Sequence, residues 1–223
     1  PLGTGPASAT AVTHAGDVPE APVLTLTALP SNIIQLDWTT PVNNGFVITT
    51  YQVEKSDDGG STWNSLTSVN ANTFPDTGLT TSTSYQYRVL ATNAIGNSVF
   101  SGAVAMVAGD APGLVDPLTA TTSTNTSIDL AWTAPSPNGY AVTGYFIESS
   151  IDYGANWIPV VADTQSTSLV YTNTGLTTGE FYTYRVSAIN PLGTGLSSST
   201  AVTHAGDVPG VPVLTLSALP NSI

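Results

Sequence analysis

Cysteine is absent from the 223 residues, which excludes a disulfide framework and any thiolate-based metal or catalytic site. Cations are almost absent: 3 Lys+Arg stand against 15 Asp+Glu, for a net charge of -12. A phosphate backbone is bound by exchanging its counterions for Lys and Arg, so nucleic acid is excluded as a partner. Charged residues of either sign make up only 8% of the chain, against roughly a quarter in ordinary globular proteins. The surface must therefore be covered mainly by Thr, Ser, Asn and Gln. No apolar run approaches the roughly 20 residues needed to span a bilayer, so no membrane span is expected in this segment. The opening Pro1-Leu2-Gly3-Thr4-Gly5 carries no signal-peptide pattern, and any targeting segment is expected outside this stretch.

Apolar residues are plentiful at 41%, enough for packed cores and against disorder. They recur with a long period. Ile34-Gln35-Leu36-Asp37-Trp38 returns as Ile128-Asp129-Leu130-Ala131-Trp132, and the same spacing of 94 residues carries Tyr51 to Tyr145 and Trp63 to Trp157. Tyr85-Gln86-Tyr87-Arg88-Val89 returns as Tyr182-Thr183-Tyr184-Arg185-Val186, now 97 residues on, after a small insertion. A second repeat is nested over the first: Pro1 to Ile33 matches Pro191 to Ile223 at a spacing of 190, or two modules. The expected organisation is a terminal strand of a preceding module in 1–17, complete modules at 18–110 and 111–207, and the opening strands of a following module in 208–223. Neither tail has enough strands to fold alone, so pairing with neighbouring modules or chains is expected.

Within a module, apolar and polar residues alternate at period two, Val, Ile, Tyr and Thr are enriched, and Gly, Pro and Asn punctuate every ten residues or so. Helical periodicity is missing. The pattern predicts strands near Val23 to Ala28, Ile34 to Trp38, Tyr51 to Ser56, Trp63 to Ser68, Ser84 to Asn93 and Ser98 to Val107. Ile34, Leu36 and Trp38 are then expected to face Tyr51, Val53, Tyr85, Tyr87, Val89 and Ala91 across an antiparallel sandwich.

The most specific stretch is Leu79 with Tyr85 six residues on, followed by Tyr87, Arg88, Val89, Ala91, Asn93 and Gly96. The second module repeats it as Leu176, Tyr182, Tyr184, Arg185, Val186, Ala188, Asn190 and Gly193. On these residues the chain resembles the fibronectin type III family, over both modules and both tails. The resemblance implies an all-β fold of tandem immunoglobulin-like antiparallel sandwiches, in which Tyr85 and Tyr182 form tyrosine corners whose hydroxyls return to the upstream backbone. It further implies a binding, spacing or adhesive module and names no partner. An Arg-Gly-Asp tripeptide is absent; Arg88 and Arg185 stand in other company.

Several constellations invite chemical readings. Ser56-x-Asp58-x-Gly60-x-x-Trp63 and Ser150-x-Asp152-x-Gly154-x-x-Trp157 fit an Asp-box, which is expected to stabilise a turn: the Asp accepts turn amides, the Gly takes positive φ and the Trp caps the hairpin. Glycoside hydrolysis needs two carboxylates facing each other across a cleft, and the acids here are scattered one or two per loop. His14 and His204 occupy one repeat position in different modules and are expected to be solvated loop residues, far from a metal-ligand spacing or a catalytic triad. Catalytic, cofactor and metal sites are all read as none. Calcium at the module junctions is a stronger candidate than zinc, through Asp17 with Glu20, Asp110 with Asp116, and Asp207; calcium takes about six to eight oxygens and each junction offers too few carboxylates, so an acidic solvated hinge is preferred. Asp57-Asp58 is weaker still. Lys55 is the only lysine and its counterpart is Ser149, which argues against a Lys–Asn crosslink. Phe46, Tyr140 and Phe146 are the aromatic candidates for stacking on sugars or on a neighbouring chain, with half-buried loop packing the alternative. Asn125-Thr126-Ser127 is the one glycosylation sequon.

The expected function is a structural or adhesive repeat region of a large extracellular cell-surface protein, part of a filament, sheath or stalk. The alternative is a spacer or carbohydrate-binding region of a secreted polysaccharide-degrading enzyme. Expected partners are like modules or chains, and cell-surface polysaccharide.

Overall fold

A computed structural model describes residues 15–206; the strands expected before residue 15 and after residue 206, with His14 and Asp207, lie outside the described residues. The chain divides into two compact units between Asp110 and Ala111. Among the described residues every regular element is a β-strand, and every pairing is antiparallel.

The first unit contains β1 (Leu24–Leu29), β2 (Ile33–Trp38), β3 (Thr50–Ser56), β4 (Asn64–Val69), β5 (Thr73–Asp76), β6 (Ser84–Thr92) and β7 (Val104–Val107). They form a three-stranded sheet in the order β1-β2-β5 and a four-stranded sheet in the order β4-β3-β6-β7. Alternation places one side of each strand inward: Ile34, Leu36 and Trp38 from β2 meet Tyr51 and Val53 from β3 and Tyr85, Tyr87, Val89 and Ala91 from β6, all buried in one cluster. Full burial of an aliphatic side chain of this size is worth roughly 1.5–3 kcal/mol. Trp38 meets Tyr51 edge-on at 5.5 Å between ring centres.

The second unit repeats the plan with β8 (Leu118–Thr124), β9 (Ser127–Trp132), β10 (Gly144–Ser150), β11 (Ile158–Val161), β12 (Val170–Thr174), β13 (Phe181–Asn190), β14 (Gly193–Thr194) and β15 (Ala201–His204). Its sheets run β12-β9-β8 and β11-β10-β13, with β14 and β15 both pairing with β13. Trp132 and Tyr145 reproduce the edge-on contact at 4.9 Å.

Two expectations change. β5 and its counterpart β12 are strands where the pattern suggested none, because each is short and β5 contains Pro75; both still pair fully with the second strand of their unit. The strand expected over Ser98 to Val107 is shorter, confined to β7. The residues before it run beside β6 through serines: Ser98 Oγ accepts from Ala91 N–H at 2.9 Å and Ser101 Oγ from Val89 N–H at 3.1 Å, while Ser98 and Ser101 N–H donate back to the same two residues. The hydroxyls substitute for carbonyls in the ladder and satisfy buried donors.

Candidate functional site

The tyrosine corners form as the family resemblance implied. Tyr85 Oη accepts a hydrogen bond from Thr80 N–H at 3.1 Å, and Tyr182 Oη from Thr177 N–H at 3.0 Å. Asn93 lies a few residues further along the same motif, and the pattern gave no hint of its work. Its side chain donates to the carbonyls of Asp17 and Asn43 and accepts from Ile95 and Gly96 N–H. Asn190 does likewise, donating to the carbonyls of Pro137 and Tyr140 and accepting from Leu192 N–H. Each fastens the loop after the second strand of its unit onto the long strand that carries the tyrosine corner.

The Asp-box hairpins close on themselves. Asp58 accepts from Ser56 Oγ at 2.7 Å and from Thr62 N–H and Oγ at 2.9 and 2.6 Å. Asp152 accepts from Ser150 Oγ at 2.6 Å and from Asn156 N–H and Nδ2 at 2.8 and 2.7 Å. Hydrogen bonds to the ionised form lower a carboxyl pKa. The Ser150 hydroxyl and the Asn156 donors hold Asp152 at about 2, and Thr62, with Ser56, holds Asp58 further below the usual carboxylate range. A general acid for glycoside cleavage needs the opposite shift, and the hydrogen bonds of both carboxyls tie them into their turns. Gly60 and Gly154, at φ 90° and 91°, supply the left-handed step. A methyl group on Gly154 would come within 3.2 Å of the Trp157 ring.

The Asp-box tryptophans do more than cap. Arg88 lies over Trp63 at 4.2 Å and Phe100 at 4.1 Å, and its guanidinium donates to Glu54 at 2.6 and 2.8 Å. Arg185 lies over Trp157 at 4.2 Å and engages both oxygens of Glu148, at 2.6 and 2.9 Å. Each strand arginine is thus engaged by a carboxylate and an aromatic face. The remaining cation, Lys55, pairs with Asp76 at 2.9 Å, and Tyr87 Oη donates to the same carboxylate oxygen at 2.8 Å. The second unit rebuilds this spot without charge: Ser149 replaces Lys55, and Asn173, in the place of Asp76, donates to Tyr184 Oη at 3.0 Å. Burial pushes Tyr184 up to about 12, and burial next to the Asp76 carboxylate pushes Tyr87 higher still.

The junction acids are spread out. Asp17 Oδ1 accepts from Val18 N–H, Asp110 Oδ1 from Ser31 N–H and Asp116 Oδ1 from Ser199 Oγ, and Glu20 is exposed. Among the described residues no three His, Asp or Glu side chains converge. Phe46 is half-buried against the Gly16 backbone, Tyr140 is half-buried with its hydroxyl pKa raised by that burial, and Phe146 lies half-exposed between the buried Tyr145 and Ile147. Asn125 is exposed in the turn between β8 and β9, and Ser127, two residues on, is buried at the start of β9. His204 departs from expectation: it is the last residue of β15 rather than a loop residue, paired with Phe181 with its ring 5.6 Å away. That neighbour was invisible in the sequence because it depends on cross-strand register.

These features define two antiparallel β-sandwiches in tandem, each closed by a tyrosine corner. The Fibronectin type III domain profile matches residues 17–107 and 110–205, and the chain belongs to that family. Exoglucanase B of Cellulomonas fimi is 33% identical over 158 residues, covering 67% of this chain and 14% of the exoglucanase. Chitinase A1 of Niallia circulans is 32% identical over 184 residues, covering 79% of this chain and 24% of the chitinase. M-protein of chicken striated muscle is 31% identical over 170 residues, covering 72% of this chain and 11% of the muscle protein. The chain thus spans a quarter or less of each. Among solved structures, the chicken CNTN1 FN1-FN3 domains match with a TM-score of 0.52 at 21% identity, covering 86% of this chain and 69% of that one, a likeness of fold.

Proposed function

We propose that the chain is a non-catalytic repeat region of a large extracellular surface protein, serving as part of a filament, sheath or stalk. The observation that carries this reading is the internal use of its chemically capable groups. Both Asp-box carboxyls are tied into turns, and both strand arginines are paired. Catalysis requires titratable groups that converge on a shared space. The nested sequence repeat, with residues 1–33 matching 191–223, fits a polymer built from pairs of modules. A surface rich in Thr and Ser with 8% charge fits an extracellular, cell-surface setting, with like modules and surface polysaccharide as partners. The acidic junctions act as solvated hinges, without calcium.

A second reading has a specific observation in its favour. The exoglucanase and the chitinase are named for acting on polysaccharides, and each aligns with two thirds or more of this chain. A spacer or carbohydrate-binding region of a secreted polysaccharide-degrading enzyme accounts for that. Electron microscopy of the native full-length protein, in calcium and then in chelator, separates the two. Ordered filaments or sheets in both conditions support the structural role, and their loss in chelator brings the junction carboxylates back as ligands. Isolated flexible strings in both conditions overturn the polymer reading in favour of the spacer.

A further inference from the structure

One end of the second unit carries an arrangement that the first unit lacks. Tyr153 sits in the Asp-box turn, Phe181 is the first residue of β13 and His204 the last of β15. Cross-strand pairing sets Phe181 opposite His204, with ring centres 5.6 Å apart. Tyr153 extends the row, 6.4 Å from Phe181 and tilted from it by 32°. Tyr153 is 74% exposed and Phe181 48%, and His204 is exposed beside them.

The first unit shows what folding alone asks for at these positions. Gly59 corresponds to Tyr153, and Ser84, paired with Val107, corresponds to Phe181 paired with His204. Gly59 takes φ 75° and Tyr153 takes φ 58°. Glycine enters this left-handed region freely, while a bulky aromatic residue there is strained. The turn thus holds its tyrosine at some loss of stability, and the ring is left in water instead of being buried. Strain of this kind, kept at an exposed aromatic, points to a role at the surface.

The surroundings narrow the ligand. Within the second unit the Lys/Arg complement is Arg185, and it is committed to Glu148 and Trp157. The acids Asp152 and Glu180 adjoin Tyr153 and Phe181 in the chain, which disfavours phosphate, sulfate or uronate. A stable protein interface takes about 800 Å² from each partner. An aromatic residue contributes roughly 150–250 Å² when fully buried, so the three partly exposed rings by themselves fall short of that, with Ile151 and Val202 the exposed apolar residues two positions from Tyr153 and His204. The three rings suffice to stack on the C–H faces of sugar rings, and the Tyr153 phenol and His204 imidazole add hydrogen-bonding groups at either end of the apolar Phe181. We infer that Tyr153, Phe181 and His204 form a stacking site for a neutral polysaccharide, present in the second module and missing from the first.

The test exchanges the row for the residues the first module already carries: Tyr153→Gly, Phe181→Ser and His204→Val together, with Phe181→Ser alone as a milder variant. The whole chain is run by affinity electrophoresis through gels containing hydroxyethylcellulose, xylan, galactomannan or mixed-linkage glucan, with polygalacturonate as the anionic control. At least one neutral gel retards the wild type, polygalacturonate does not, and the triple variant is retained about tenfold more weakly while melting no lower than the wild type. Absence of retardation in every neutral gel overturns the site, as does equal retention of wild type and triple variant, or equal retardation by polygalacturonate. So does sedimentation of the wild type as a dimer that the triple variant abolishes, since the row then meets a second copy. The site rests on the polysaccharide partnership proposed above and deepens it, and losing it would leave the filament, sheath or stalk role standing.

Discussion

At the scale of single residues, the two units test the same interactions in two contexts. Tyr85→Phe and Tyr182→Phe each remove the acceptor of one backbone N–H and leave the core ring in place. A loss of about 1 kcal/mol per corner is expected in urea unfolding, and a change near zero would mean that water satisfies Thr80 and Thr177 equally well. The Asp-box carboxyls make a pH prediction. Asp152 is held at about 2 when folded, against an ordinary 3.8, and Asp58 is shifted in the same direction. A depressed folded pKa contributes stability that is complete above the unfolded value and disappears as pH falls through the folded one. The melting temperature should therefore drop between about pH 4 and pH 2, and replacing both by Asn should flatten that part of the profile. An unchanged acid limb in the double variant would place the sensitivity on other carboxyls.

At the scale of strands and turns, the sequence was most readable where a rule is local. Period-two alternation found β2, β3 and β6 and named their buried residues, because one face of a sheet must be apolar over its whole length. The resemblance carried by the Leu79–Tyr85 motif implied the tyrosine corner, and the Ser-x-Asp-x-Gly pattern marked the hairpins. What escaped depends on register between distant strands. β5 has only four residues and a proline, so its strand character comes from its pairing with β2. The Arg88 stack on Trp63 and Phe100 joins three segments that share no motif. The exchange of Lys55 and Asp76 for Ser149 and Asn173 shows itself as a coupled pair only once the strands are in place. That coupling is testable. Lys55→Ser alone leaves the Asp76 carboxylate, 8% exposed, with the Tyr87 hydroxyl but without its cation, at a loss of about 2 kcal/mol. Adding Asp76→Asn reproduces the second unit's chemistry and should recover most of it. If the two losses simply add, the pair is not coupled.

At the scale of the whole molecule, both units secure their entering chain by the same means. Asn44, in an Asn-Gly turn at φ 52°, donates to Val18 O at 2.8 Å, and Asn138, in the matching turn at φ 50°, donates to Ala111 O at 2.7 Å. In the first unit the tie includes Asp17. Asp17 N–H donates to Asn44 O, and Asp17 O accepts from Asn93 Nδ2. A fragment starting at residue 15 keeps these bonds, while one starting at residue 18 removes both and leaves the Asn93 amide, on a residue 4% exposed, with one acceptor fewer. Fragment 15–110 should therefore unfold in a single cooperative transition, with fragment 18–110 less stable by about 1–2 kcal/mol. Because each unit has its own buried cluster, the melt of the intact chain should contain the transition of fragment 15–110 unchanged in position. A shift of that transition in the intact chain, or a fragment 15–110 that fails to fold, would show that the first unit draws its stability from outside its own core.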